Sequence, residues 1–123
     1  MATIVVVEDQ PDNLKLITAL LTMKGHRVIG LASGDAVITT LRSEQPALVL
    51  LDIQLPGRDG YSILGDVQKM PGDHPWKVVA LTAHAMPGDR EKALAAGFDG
   101  YIAKPIDVRR FPDEVAHYLR PAD

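Results

Sequence analysis

Five short apolar segments alternate with five longer segments of helical periodicity, and this pattern constrains the fold more than any other feature. The apolar segments lie at residues 3–7, 27–31, 47–51, 77–81 and 100–103. The first and the third are apolar at successive positions, which is typical of strands buried on both faces of a parallel sheet. Strands that alternate with helices in this way predict an α/β fold in which helices cover both faces of the sheet.

The segments between the strands carry helix signals. We predict helices at residues 12–24, 33–46, 58–69, 87–97 and 112–119. Asp12 or Asn13 would cap the first helix, and Gly25 suits its C-terminal end. The second would open at residue 33 or 34 and end at Pro46. Because proline is tolerated in the first turn of a helix but not in its interior, the last helix should begin near Pro112.

Length and composition restrict the class of protein. A chain of 123 residues with 46% apolar and 24% charged residues is expected to form one domain, residues 1–123. It has no cysteine, which excludes disulfides and thiolate metal sites. A net charge of -3 argues against nucleic-acid binding. The sequence shows no membrane-spanning segment and no signal peptide, so we expect a cytoplasmic protein without a membrane partner.

Polar side chains follow four of the five predicted strands. These residues are Glu8 and Asp9, Asp52, Thr82, and Lys104. In open parallel sheets the ligand site lies beyond the carboxyl ends of the strands, so we expect these side chains to converge there. Three crowded carboxylates repel one another, and a hard divalent cation would relieve the repulsion.

This set of groups suits phosphoryl transfer. A carboxylate can attack phosphorus to form an aspartyl phosphate. The charge on the equatorial oxygens then needs a cation, a hydroxyl donor and a fixed ammonium, which Mg²⁺, Thr82 and Lys104 would supply. By contrast, the charged segment at residues 89–92 is interpreted as a solvated helix face.

Four segments resemble the signature segments of a known family, the receiver domains of bacterial two-component response regulators. They are Val-Glu-Asp at 7–9, Leu-Asp-Ile-Gln-Leu-Pro-Gly-Arg-Asp-Gly at 51–60, Leu-Thr-Ala at 81–83 and Tyr-Ile-Ala-Lys-Pro at 101–105. The resemblance spans nearly the whole chain in order. It implies a flavodoxin-like, doubly wound (βα)5 fold whose five parallel strands have the order 2-1-3-4-5.

The resemblance also implies a metal site and a phosphorylation site. Asp52 would be the phosphoacceptor. Glu8, Asp9, Asp52 and the backbone carbonyl of Gln54 would hold Mg²⁺, with Mn²⁺ as a possible substitute. The phosphoryl donor would be a histidine kinase or a histidine phosphotransfer protein.

The remaining implied roles concern the switch. Thr82 and Lys104 would bind phosphoryl oxygens, Tyr101 would act as an aromatic rotamer switch, and the Lys104-Pro105 peptide bond would be cis. The surface of the fourth helix, fifth strand and fifth helix (α4-β5-α5) would then change for a downstream protein partner. We place His84, Ala85, Met86, Tyr101 and Arg109 on that face. Such a domain is a signalling phosphoacceptor that catalyses only its own phosphorylation and dephosphorylation.

Three other functions use similar residues. A haloacid-dehalogenase-like phosphatase would use Asp52 as nucleophile, but that class needs a second Asp two positions later, where this chain has Gln54. A flavodoxin-like cofactor binder needs a first loop that cradles phosphate, which Glu8 and Asp9 would repel. A receiver that only binds partners would not need all the key side chains. A stand-alone regulator and a receiver from a hybrid kinase both remain open.

Overall fold

The computed structural model describes residues 2–83 and 86–120, and within them five parallel strands form one sheet of order β2-β1-β3-β4-β5. The strands are β1 (Thr3–Val7), β2 (Arg27–Leu31), β3 (Leu48–Asp52), β4 (Lys77–Thr82) and β5 (Gly100–Ala103). The helices are α1 (Pro11–Met23), α2 (Val37–Glu44), α3 (Gly60–Gln68), α4 (Asp89–Ala96) and α5 (Phe111–Leu119). The predicted fold class and strand order are confirmed.

The core lies on both faces of the sheet because side chains alternate along the buried strands β1 and β3. On one face, Val5 and Val49 pack with buried residues of α2, α3 and α4. On the other face, Ile4 and Leu48 pack with buried residues of α1 and α5. Within the described part of the chain, no helix combines the length and apolar character needed to cross a membrane.

Two strands extend one residue further than predicted, and this extension positions the site. β3 includes Asp52, which lies opposite Leu81 of β4. β4 includes Thr82, which lies opposite Ala103 of β5. Both polar residues are therefore held by the sheet at its carboxyl edge rather than by the loops that follow.

The predicted starts of the first two helices are wrong. α1 begins at Pro11 after the cap residue Gln10, because proline at the first position loses no helical hydrogen bond. α2 begins at Val37 rather than at 33 or 34. The Ser33 hydroxyl accepts the Asp35 N–H at 3.4 Å, and such local turns compete with helix formation. α2 also ends at Glu44, two residues before Pro46.

The next two helices begin two residues later than predicted. The Asp59 carboxylate accepts the Ser62 N–H at 2.8 Å, and this cap fixes the start of α3 at Gly60. At the start of α4, Gly88 has a φ of 93°, which a helix cannot include, so that helix begins at Asp89.

Other helix signals are confirmed. Pro112 lies in the first turn of α5, which begins at Phe111. Gly25 and Gly97 follow α1 and α4 with φ values of 84° and 116°, as expected for C-terminal glycines.

Candidate functional site

Three chain-distant residues meet at the carboxyl edge of the sheet. Glu8 follows β1, Asp52 ends β3 and Lys104 follows β5. The Lys104 ammonium lies 2.8 Å from Asp52 Oδ2 and also contacts Glu8 Oε1. Since Glu8 is 0% and Asp52 3% exposed, both carboxylates depend on protein partners for the interactions that water would otherwise provide.

Asp9 completes a group of three acidic residues. One carboxylate oxygen each from Glu8, Asp9 and Asp52 lies within 4.8 Å of the others. A single ammonium, that of Lys104, contacts two of these three carboxylates. The donor set therefore fits one further cation, and its hard oxygen ligands are those that Mg²⁺ prefers.

Burial and pairing shift the pKa values of this group in definable directions. Burial raises the pKa of the Glu8 carboxyl, although hydrogen bonds from Lys104 and from the Gln10 N–H oppose the increase. Burial by itself lowers the pKa of Lys104, but the hydrogen bonds to Asp52 and Glu8 outweigh it and leave the pKa raised. Lys104 therefore remains an ammonium, whereas the charge on Glu8 is disfavoured until another cation joins the site.

Backbone contacts fix the position of the Asp52 carboxylate. The Gln54 N–H donates to Asp52 Oδ1 at 2.8 Å, while the Gln54 side chain is exposed. Lys104 is anchored by its own N–H, which donates to the Thr82 carbonyl at 2.7 Å. The Lys104-Pro105 peptide bond is cis, as the resemblance implies.

Thr82 and Tyr101 border a cavity of about 300 Å³ near the carboxyl end of β4. Thr82 is 3% exposed and Tyr101 is half-buried. Gln54 and the exposed Met86 also border this cavity, which we call the switch cavity. Arg109 is exposed just before α5. His84 and Ala85, which we also predict on the output face, lie outside the described residues.

Comparison with known proteins adds the decisive observation. The model of the response regulator receiver domain family matches residues 4–116. This chain belongs to that family. Receiver domains are signalling domains of two-component phosphorelays, so the predicted class of function is confirmed and the phosphatase alternative gains no support.

Two curated relatives show the settings in which such receiver domains occur. The histidine-protein kinase BarA of Escherichia coli K12 is 38% identical over 116 residues, which are 94% of this chain and 13% of BarA. The polar-differentiation response regulator DivK of Brucella ovis is 35% identical over 120 residues, which are 98% of each chain. The receiver thus spans a small part of one relative and nearly all of the other.

A solved receiver domain gives the structural comparison. It comes from a sensor histidine kinase of Pseudomonas aeruginosa PAO1 and has a magnesium ion coordinated in its active-site cleft. It is 32% identical in sequence, with a TM-score of 0.83, and the match covers 96% of this chain and 97% of that one.

Sequence reasoning missed several residues of this receiver's site. Gly60 packs against the backbone of Ile53 and Asp52. The Asp59-Gly60 pair that follows the predicted turn is the sequence feature that could have identified this position. Tyr61, Asp89 and Lys92 also border the switch cavity. The interpretation of residues 89–92 as a merely solvated face is therefore incomplete, since Asp89 and Lys92 line this cavity.

Proposed function

We propose that residues 1–123 form a single receiver domain that accepts a phosphoryl group on Asp52 and uses it to switch a protein-binding surface. The observation that carries this proposal is the environment of Asp52. Its carboxylate lies at the end of β3, 3% exposed, within hydrogen-bond distance of the Lys104 ammonium and beside two further carboxylates. A buried nucleophile, a fixed cation and a divalent-metal donor set are the parts that phosphoryl transfer needs.

In the proposed reaction, an Asp52 carboxylate oxygen attacks the phosphorus of a phosphohistidine. The bond from phosphorus to the donor's imidazole nitrogen breaks, and its electron pair stays on that nitrogen. The donor is a histidine kinase or a histidine phosphotransfer protein. The Lys104 ammonium, 2.8 Å from Asp52 Oδ2, is placed to pair with a phosphoryl oxygen once the group is attached.

Glu8, Asp9, Asp52 and the Gln54 backbone carbonyl would hold the metal ion. Bound Mg²⁺ supplies positive charge that neutralises the transferring phosphoryl group. Mn²⁺ accepts the same hard oxygen ligands and could replace it. The crowding of Asp9 against the two carboxylates that pair with Lys104 supports this assignment.

The switch follows from the new oxygen acceptors on Asp52. The Thr82 hydroxyl would move toward a phosphoryl oxygen, and the Tyr101 ring would then turn into the switch cavity. The α4-β5-α5 surface would change with it and bind a downstream protein. The shared border of Thr82 and Tyr101 on one cavity supports this coupling.

Phosphorylation with a radiolabelled donor tests the site. With Mg²⁺ and acetyl phosphate or a phosphohistidine donor, the protein should take up one acid-stable, base-labile phosphoryl group. Asp52→Asn should abolish the label, whereas Asp73→Asn in an exposed loop should not. Full labelling of Asp52→Asn would contradict the proposal, and multiple turnover on a generic phosphate ester would favour the phosphatase.

A further inference from the structure

Helix α4 is weakly attached to the rest of the domain. Its buried residue is Ala93, and Leu94 is 41% exposed. A helix that buries so little apolar surface gains little stabilisation from the hydrophobic effect. Side chains from neighbouring elements must therefore supply much of the attachment of α4.

Residues at both ends of α3 contact α4 or the residues that follow it. The Lys92 ammonium lies 5.1 Å from the ring centroid of Tyr61 in α3, which is cation–π geometry. Tyr61 also packs edge-on against Phe98, beyond the end of α4, with centroids 5.7 Å apart. Near the other end of α3, the Gln68 amide donates to the Ala96 carbonyl at 3.1 Å.

Tyr61 and Lys92 border the switch cavity together with Thr82 and Tyr101. Asp89 borders the same cavity, and the pKa values of both phenols are raised first by burial and then by the charge of Asp89. Of the elements around this cavity, β4 and β5 belong to the sheet, and α3 buries four residues. Helix α4 is therefore the element around the cavity that can move most easily.

We propose that the Tyr61 ring and the Lys92 ammonium form a clasp that restrains α4 against α3 and thereby opposes the entry of Tyr101 into the switch cavity. This inference rests on the proposed function, in which Tyr101 turns inward after phosphorylation. Tyr101 shares the border of this cavity with Tyr61 and with Lys92 of α4, so a ring that turns further inward presses on the Lys92 side chain and moves α4 outward. The clasp resists that movement, so it sets how much free energy the phosphoryl group must supply. Tyr61 and Lys92 are positioning residues that never touch the phosphoryl group.

The clasp can be tested with beryllofluoride, which mimics a phosphoryl group on a carboxylate. Lys92→Met keeps most of the side-chain length but removes the charge. An exposed cation–π contact is worth about 0.5–1 kcal/mol, so affinity for beryllofluoride with Mg²⁺ should rise about two- to fivefold. Tyr61→Leu should produce a similar increase, and adding Lys92→Met to it should have no further effect. Lys92→Arg and Tyr61→Phe keep the contact and should match the unmodified protein.

A matched control and a second measurement make the outcomes decisive. Lys69→Met removes another exposed lysine from the end of α3 and should leave the affinity unchanged. The NMR signals of the Tyr101 ring should shift toward the beryllofluoride-bound position in Lys92→Met before any ligand is added. If the unmodified protein responds to beryllofluoride but Lys92→Met has the same affinity and the same Tyr101 signals, the clasp is refuted while the proposed function stands. If the unmodified protein does not bind beryllofluoride, both fail.

Discussion

At the residue scale, Gly60 shows how closely α3 approaches the phosphoacceptor strand. A Cβ atom at this position would lie 2.7 Å from Ile53 Cα and 2.8 Å from the Asp52 carbonyl oxygen. Both are backbone atoms, so neither can move aside without shifting the end of β3. The Gly60 N–H also donates to the Ile53 carbonyl at 2.7 Å. Only glycine permits this approach, and the position of Asp52 depends on it.

We predict that Gly60→Ala lowers the free energy of unfolding by about 1–3 kcal/mol, the usual cost of overpacking. It should also slow phosphorylation, because the added methyl group displaces the backbone of Asp52. Urea unfolding and the labelling rate measure the two effects. The control is Gly65→Ala in the same helix, where no neighbouring atom lies within 4 Å of a Cβ. That change should increase stability by about 1 kcal/mol through helix propensity. Equal stabilisation by both substitutions would contradict the steric argument.

At the scale of elements, burial was easier to predict from sequence than helix starts. The strands match to within one residue because continuous apolar segments mark directly which residues are buried in the sheet. Helix starts depend on single groups, such as the Asp59 carboxylate that caps α3 or the positive φ of Gly88 before α4. The cap and the backbone angle are set by loop conformations, which hydrophobic periodicity does not describe.

The residues of the site likewise divide into those that the sequence pattern predicts and those that depend on local packing. Glu8, Asp52 and Lys104 could be brought together from the sequence because the ends of parallel strands meet at one edge of the sheet. The contact of Tyr61 with Lys92 could not, since it depends on how α3 and α4 are rotated relative to each other. An amphipathic pattern tells which face of α3 is buried, but it does not tell which residue of α4 lies above it.

Helix α4 should have a lower local stability than helix α3. Helix α3 buries three large apolar side chains, Ile63, Leu64 and Val67, whereas the buried residue of α4 is Ala93. Because each such side chain contributes about 1.5–3 kcal/mol, we predict that amides of α4 exchange with solvent at least about tenfold faster than those of α3. Hydrogen exchange followed by NMR gives both rates in one sample. Equal protection of the two helices would show that α4 is held by more than the contacts described.

For the molecule as a whole, two groups give stability opposite dependences on pH. His26 Nδ1 accepts the Ala2 N–H at 3.2 Å, and burial lowers the pKa of this imidazole below 6.5. The folded state therefore favours neutral His26, so this contribution is present above pH 6.5 and is lost as the pH falls through the lowered pKa. The pKa of Glu8 is raised above 4.5, so the folded state favours the protonated carboxyl. Its contribution to stability is therefore present at low pH and is lost as the pH rises through the raised pKa.

Comparison with a His26 variant separates the contribution of this histidine to the pH dependence of stability from that of the carboxylates. We predict that the difference in unfolding free energy between the unmodified protein and His26→Gln becomes smaller as the pH falls below 6.5. The reason is that protonation of His26 removes its acceptor nitrogen. Urea unfolding between about pH 8 and pH 5 measures the difference, within the range of ordinary histidine titration. A difference that stays constant over this pH range would contradict the role given to His26.

The acidic group should make the stability of the whole domain depend on Mg²⁺. Without metal, Asp9 lies close to the two carboxylates that pair with Lys104, so Asp9→Asn should remove repulsion and raise the free energy of unfolding by about 0.5–2 kcal/mol. With Mg²⁺ at about 100 times its dissociation constant, the unmodified protein should gain about 2.7 kcal/mol, and Asp9→Asn should gain far less. The order of stability of the two proteins should therefore reverse between EDTA and saturating Mg²⁺. Thermal unfolding in both conditions measures this reversal, and an equal Mg²⁺ effect on both proteins would remove Asp9 from the metal site.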